Sequence, residues 1–357
     1  MAKQIDSNTA QIEGRFGNID RLKVLCAFFV VCIHAPFPDI IGEYITAFAR
    51  IAVPIFFMIT GYFFDPERSK RQIIKTAKLN VIAIGLYFLW HLVIAVFRNN
   101  LVSYFSSNFT LSNIIKFVIF NDSRIGSHLW YLNAILYVIV VVALLRKVTP
   151  HNWKNILYAI TPILLAGDLI FGKYSIAFFG REFSYIIVRN WLFVGIPYFT
   201  LGMWIRENET TINEKMGKNG RLICCCGLLF FCITTIFERW ILISNSLNAT
   251  RDHYLSTTFL AISVFVFFLR FVDRNENWIS KIGKLDTTWI YILHPLVITV
   301  MGAIMSRICV MQNLYEYSKA IIIFLATTML IEVMLWVKVR LCTKFSGETY
   351  SSKKYKK

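Results

Sequence analysis

The chain has 357 residues, of which 56% are hydrophobic, and it combines 31 phenylalanines with a mean hydropathy of +0.56 and a net charge of +17. No single soluble core could hide so much apolar surface, so the composition excludes an ordinary soluble domain and indicates lipid as the solvent. The positive charge is what membrane topology and attraction to anionic lipid headgroups produce, and we expect no nucleic-acid partner.

Apolar runs that can cross ~30 Å of hydrocarbon, which takes roughly 20 helical residues, recur along the chain. They predict an all-α integral membrane protein, a bundle of about ten transmembrane helices. The predicted spans are 22–38, 41–64, 73–97, 128–146, 153–171, 186–205, 222–243, 254–272, 287–307 and 319–340. Most basic residues fall in connections that are cytoplasmic when the N-terminus is inside, and an even number of spans then makes both termini cytoplasmic.

This pattern predicts a cytoplasmic N-terminal segment 1–20, a transmembrane domain 21–343 and a basic cytoplasmic tail 344–357. The first segment is polar and lacks the apolar core of a removable signal peptide. The external connection 98–127 contains the half-apolar stretch LSNIIKFVIF, which either lies in the membrane interface or covers an external cavity. The eight cysteines lie in or beside spans, and their spacing predicts neither a disulfide framework nor a metal site.

Ionisable side chains at membrane depth are costly and usually have a partner or a task. Lys23 and His34 are eleven residues apart in the first span, so they share one helix face within roughly 20° and differ by about 16 Å in height. The stripe presents a cation near the cytoplasmic headgroups and, deeper, an imidazole suited to general-base catalysis. The alternative is that Lys23 is a snorkelling anchor and His34 an interior hydrogen-bonding residue. Further ionisable residues at this depth are Arg50, His91, His128, Asp168, Arg189, Glu238, Arg239, His294 and Glu332.

A basic segment follows the second predicted span. It contains Arg68, Lys70, Arg71, Lys75 and Lys78. Such a cluster can hold a polyphosphate, because arginine offers paired donors and lysine adds point charge. The alternative is an ordinary positively charged cytoplasmic loop.

At these residues the chain resembles acyltransferase family 3, a family of bacterial membrane proteins. Five motifs in the family order carry the resemblance: LKVLCAFFVVCIH with Lys23 and His34, ARIAVPIFFMITGYFF, HLWYL at 128–132, RNWLFVGIPYFTLGM at 189–203 and WIYILHPLV at 289–297. Together they cover nearly the whole chain. Lysine stands at position 23 where the family usually has arginine, and threonine at position 60 where serine is usual.

The resemblance implies an enzyme of the bacterial plasma membrane that moves an acyl group, usually acetyl, from cytoplasmic acyl-CoA to a hydroxyl of an envelope glycan or another small acceptor. His34 matches the catalytic histidine and Lys23 its partner. Arg68 and Arg71 fit the family's Arg-x-x-Arg element, although Lys75 and Lys78 fit the same place, and all four are expected to bind the CoA phosphates. Acetyl-CoA is then a cosubstrate, and neither a bound cofactor nor a metal is expected. Residues expected to line the substrate cavity are Arg50, His128, Trp130, Arg189 and His294.

Within the family, the chain is similar to the membrane half of the serine racemases of vancomycin-resistance operons, through RNWLF, the region 252–254 and WIYILHP. In those proteins a soluble racemase domain follows the membrane part, so the tail 344–357 is a possible linker to a racemase domain beyond this chain. This likeness supports a second hypothesis, a module that takes up or delivers serine. Arg50, Asp168 and Glu332 would then bind the zwitterion.

Overall fold

The computed structural model describes residues 16–308 and 312–346, with side chains for 16–308 and 313–340. Within these ranges the regular structure is entirely helical, as the sequence predicts. The predicted N-terminal segment lies outside the described residues except for 16–20, and the predicted tail lies outside them except for the backbone of 344–346. The described residues form two compact units, with the boundaries after Thr46 and before Asp273.

The first unit runs to Thr46 and resumes at Asp273. Its helices are α1 (Gly17–His34), the beginning of α2 (Asp39–Ala49), α15 (Trp278–Leu285), α16 (Thr287–Met305) and α17 (Gln312–Ser346). Helix α1 ends at His34 because Pro36 and Pro38 follow and cannot donate the amide hydrogen bonds that a longer helix needs. Helix α15 packs closely on α1, since a Cβ added to Gly283 would lie 1.9 Å from the carbonyl oxygen of Asp20.

The second unit comprises residues 47–272. Its helices are α3 (Ala52–Tyr62), α4 (Ser69–Phe97), α5 (Leu101–Asn108), α6 (Leu111–Phe120), α7 (Trp130–Val148), α8 (Trp153–Phe171), α9 (Ser175–Phe179), α10 (Tyr185–Val188), α11 (Ile196–Glu207), α12 (Glu209–Met216), α13 (Gly220–Ser244) and α14 (Leu255–Phe271). A π-helical turn, Trp191–Gly195, leads into α11, and the Asn190 side chain accepts hydrogen bonds from its first amides. Helix α6 contains the half-apolar stretch LSNIIKFVIF of the connection 98–127.

Two of the sequence motifs form a close helix crossing in the second unit. A Cβ on Gly61 of α3 would lie 1.9 Å from the carbonyl oxygen of Phe199, and a Cβ on Gly202 of α11 would lie 2.0 Å from that of Met58. Each glycine therefore faces the backbone of the other helix. Small residues permit such close approach, which is a common way for membrane helices to gain packing contacts.

Seven helical segments are long and apolar enough to cross a membrane among the residues searched. They are Asp39–Tyr62, Pro66–Phe97, Ser127–Val148, Trp153–Phe171, Gly220–Ser244, Thr287–Met305 and Asn313–Arg340. Three further predicted spans coincide with α1, α11 and α14, which are shorter or carry more charge. An all-helical membrane protein is thus supported, whereas ten crossings and two cytoplasmic termini stay predictions.

Candidate functional site

In the first unit, the structure brings together two histidines that the sequence singled out separately. The rings of His34 and His294 have centroids 5.0 Å apart, tilted by 47°. His294 is fully buried, and its Nδ1 lies 2.9 Å from the carbonyl oxygen of Ile290. That carbonyl can only accept, so Nδ1 carries the proton and Nε2 of the neutral ring is an acceptor. The two imidazole rings are therefore close neighbours, in a tilted arrangement.

Lys23 lies on the same continuous helix, α1, one turn after an aspartate. Its ammonium contacts the Asp20 carboxylate at 2.9 Å, and the aspartate side chain is 11% exposed against 29% for the lysine. The lysine is therefore held by a local ion pair as well as by its helix. Lys23, His34 and His294 together form the set of predicted site residues that belongs to the first unit.

The predicted CoA-binding residues are all exposed in the second unit. Arg68 forms an ion pair with Asp65 at 3.2 Å, while Arg71, Lys75 and Lys78 form no ion pair among the described residues. These last three stand at spacings of four and three on the first turns of α4, which places them on one helix face. The arrangement leaves several cations available to a phosphate, and it equally suits a solvated cytoplasmic face.

Arg50 and Arg189, predicted separately as cavity-lining residues, meet at one carboxylate. Both guanidinium groups form ion pairs with Asp252, that of Arg189 at 3.8 Å, and the Tyr185 hydroxyl donates a hydrogen bond to the same carboxylate. The Arg189 guanidinium also lies 4.9 Å from the centroid of a Trp130 ring. Asp252 thereby connects Arg50 to Arg189, and Arg189 in turn contacts Trp130.

His128 lies just before Trp130 and is also buried. Its ring packs edge-on against Tyr87 at 4.5 Å between centroids. The side-chain amide of Asn121 donates to the Trp130 carbonyl at 3.2 Å, and its oxygen accepts from the Trp191 amide at 2.9 Å. Asn121 thus ties the HLWYL motif to the start of the RNWLF motif.

Asp168 forms a buried pair with His253 rather than with Arg50. The Asp168 carboxylate lies 2.8 Å from Nδ1 of His253, and Tyr198 packs against the imidazole at 5.9 Å between ring centroids. Arg50 is taken by Asp252. Glu332 is exposed and belongs to the first unit. The zwitterion site suggested by the sequence therefore does not form as an Arg50–Asp168 contact.

The sequence interpretation missed Asp20, Tyr185 and Asp252 as partners of the predicted site residues. Asp252 lies near the end of the loop between α13 and α14. In a loop, no helical periodicity indicates which side chain a residue will contact. The signal that existed was the resemblance of the region 252–254 to the racemase subgroup. It pointed to the segment but not to its contacts.

Comparisons with known proteins agree with the resemblance. A sequence profile described as "Acyltransferase domain" matches residues 16–337. An amino-acid racemase of Enterococcus faecalis is 29% identical over 332 residues, covering 84% of this chain and 43% of the relative. A serine/alanine racemase of Enterococcus gallinarum is 25% identical over 315 residues, covering 83% and 43%. The chain spans less than half the length of these relatives, and no solved structure matches it.

Proposed function

Because the chain belongs to this acyltransferase family, whose profile covers most of its length, we propose that it moves an acetyl group from cytoplasmic acetyl-CoA to a hydroxyl of a cell-envelope acceptor. The observation that carries the proposal is the tilted, closely spaced ring pair of His34 and His294, with Lys23 on the helix that bears His34. A positioned histidine can act as the general base that activates a hydroxyl.

In this proposal, His34 takes the proton from the acceptor hydroxyl while the hydroxyl oxygen bonds to the thioester carbonyl carbon. The tetrahedral intermediate then collapses, the carbon–sulfur bond breaks, and the imidazolium returns its proton to the leaving thiolate. The products are an acetyl ester and free CoA, so atoms and charges balance. His294, whose Nδ1 proton is committed to the Ile290 carbonyl, keeps the His34 ring in place.

The remaining predicted residues have supporting roles in the proposal. The exposed cations Arg68, Arg71, Lys75 and Lys78 bind the CoA phosphates. Arg50, His128, Trp130 and Arg189 line the acceptor cavity, which the contacts around Asp252 support by connecting three of them. Acetyl-CoA is a cosubstrate here, and the enzyme is assigned to the bacterial plasma membrane.

A second candidate function is delivery of a small amino acid, supported by the relatives' printed descriptions as racemases, one of them for serine and alanine. Purified protein in lipid nanodiscs and in sealed vesicles separates the two functions. Acyl transfer predicts release of CoA thiol from acetyl-CoA in nanodiscs, stimulated by an envelope extract, and no accumulation of labelled serine in vesicles. Serine accumulation without thiol release would reject the acyltransferase proposal in favour of delivery.

A further inference from the structure

Charged side chains contact the loop between α13 and α14 at four successive positions, and of these side chains Lys173 is buried. Lys173 Nζ donates a hydrogen bond to the Ala249 carbonyl at 2.8 Å. The Glu182 carboxylate accepts from the Thr250 amide at 2.6 Å and forms an ion pair with Arg251 at 3.4 Å. The Asp252 carboxylate forms ion pairs with Arg50 and Arg189. Tyr185 lies between two of the cations, with guanidinium carbons of Arg189 and Arg251 at 5.1 and 5.0 Å from its ring centroid. We call Arg50, Lys173, Arg189 and Arg251 the cation cluster.

When Lys173 is protonated, positive charge exceeds negative charge by one around this loop. The neighbouring cations are Arg50, Lys173, Arg189, Arg239 and Arg251, against the carboxylates Asp168, Glu182, Glu238 and Asp252. A buried excess of one sign is costly unless a counter-charge is bound.

Lys173 shows this excess most clearly. It is 5% exposed, and its ammonium contacts a carbonyl and the Tyr254 ring, at 4.4 Å from the centroid, but no carboxylate within ion-pair distance among the described residues. Burial, followed by the Arg50 charge, lowers the pKa of Lys173 to about 7, with Arg239 acting the same way and Asp252 and Glu238 opposing. A bound anion would restore the ordinary preference for the charged ammonium.

Two further polar groups beside Lys173 have no hydrogen-bond partner among the described residues. Ser175 is fully buried with its hydroxyl unsatisfied, and the Arg251 side chain, 10% exposed, has an unsatisfied buried Nε. The two segments adjoin, since a Cβ on Gly172 would lie 3.8 Å from Cβ of Arg251. Buried donors are normally satisfied, so these groups indicate a missing acceptor.

We propose that the cation cluster, with Ser175, binds an oxyanion, either a free anion or the phosphate of a lipid headgroup. Arginine matches the oxygens of such groups with paired donors, and lysine adds charge. The cluster shares Arg50 and Arg189 with the proposed acceptor cavity but contains none of Lys23, His34 and His294, and its test does not measure acyl transfer.

The test measures the thermal unfolding midpoint of the full chain in phosphatidylcholine nanodiscs during titration with sulfate, whose charge is constant between pH 6 and 9. We expect saturable stabilisation that weakens from pH 6 to pH 9 as Lys173 loses its proton. Lys173→Gln and Ser175→Ala should weaken sulfate affinity, the first by about tenfold or more, since a tenfold change corresponds to about 1.4 kcal/mol. Lys173→Arg should retain binding, and the exposed Lys218→Gln should behave like the wild type.

Nanodiscs of phosphatidylglycerol distinguish the two sources. If the lipid phosphate occupies the site, these nanodiscs stabilise the wild type but not Lys173→Gln, and added sulfate has no further effect. If the anion is free, phosphatidylglycerol has no effect and sulfate still acts. The proposal is overturned if chloride at matched ionic strength reproduces the shift, or if neither sulfate nor phosphatidylglycerol shifts the unfolding midpoint. It is also overturned if Ser175→Ala and folded Lys173→Gln both bind sulfate like the wild type.

Discussion

His34 is the last residue of α1, and its imidazole lies 5.0 Å from that of His294 on α16, measured between ring centroids. Sequence alone selected both residues, the first by its spacing from Lys23 and the second by the WIYILHPLV motif. Their pairing was not predictable, because 260 positions separate them and no periodicity connects two different helices. A titratable group at membrane depth indicates that a partner exists, but the sequence does not identify that partner.

Lys23 is predicted to contribute to function beyond its ion pair with Asp20. Lys23→Met should destabilise the protein, because the aspartate is largely buried and loses its nearest cation. The double variant Asp20→Asn, Lys23→Met should recover thermal stability but not CoA release, whereas Lys23→Arg should retain both. A fully active double variant would show that Lys23 serves only the ion pair.

Asp286, between α15 and α16, is predicted to make the stability of the protein depend on pH. It is fully buried, and its burial and the Glu332 carboxyl raise the pKa of Asp286 to about 7. The folded protein then binds this proton more tightly than the unfolded chain, so stability is greatest at acidic pH and falls as the pH rises through 7.

Asp286→Asn should therefore raise the thermal unfolding midpoint at pH 8 and leave it nearly unchanged at pH 4.5. Each unit of pKa difference corresponds to about 1.4 kcal/mol, so the gain at pH 8 should exceed about 1 kcal/mol. Asp273→Asn is the control, since the pKa of this exposed carboxyl is lowered instead. Equal midpoints for the Asp286 variant and the wild type at pH 8 would contradict the prediction.

At the scale of elements, the reciprocal contact of Gly61 and Gly202 fixes how α3 and α11 cross. Gly61→Ala or Gly202→Ala would force the helices apart and should cost about 1–3 kcal/mol, the overpacking penalty found in soluble cores. Gly85→Ala in α4, where nothing lies within 4 Å, should be neutral or stabilise by up to about 1 kcal/mol. The measurement is the thermal unfolding midpoint of the three variants in one detergent. Equal midpoints for all three variants would exclude a close crossing of α3 and α11.

The basic face of α4 is predicted to bind the phosphates of acetyl-CoA. Arg68→Ala with Arg71→Ala should weaken acetyl-CoA affinity by about tenfold or more at low salt, because a hydrogen bond to a charged group is worth about 1.5–3 kcal/mol. Lys75→Ala with Lys78→Ala tests the alternative placement, and Lys215→Ala with Lys218→Ala is a charge-matched control. Affinity unchanged in both test pairs would remove the CoA-binding role from this segment.

The helices themselves were largely predictable, because apolar length alone marks a membrane segment. All ten predicted spans overlap helices, with α1 beginning five residues earlier than expected, at Gly17. The crossing of α3 and α11 was not predictable. Sequence shows Gly61 and Gly202 inside two motifs, but only the structure shows that each faces the other's backbone.

At the scale of the whole molecule, the predicted site residues divide between the two units: Lys23, His34 and His294 in the first, and the cations of α4 with the groups around Asp252 in the second. The chain corresponds to less than half of racemase relatives, so its own activity has to be measured on this chain directly. Family membership indicates the class of reaction, acyl transfer. Within the histidine pair, His34 is the specific residue to test.

The most direct test of the central claim measures the rate of CoA release across a range of pH in nanodiscs. The proteins compared are the wild type, His34→Ala and the exposed control His151→Ala. A general base contributes about 10²–10⁴ to the rate, so His34→Ala should lose that factor while keeping wild-type thermal stability and acetyl-CoA affinity. His151→Ala should match the wild type. Undiminished turnover in a folded His34→Ala protein would contradict the assignment of His34 as the base.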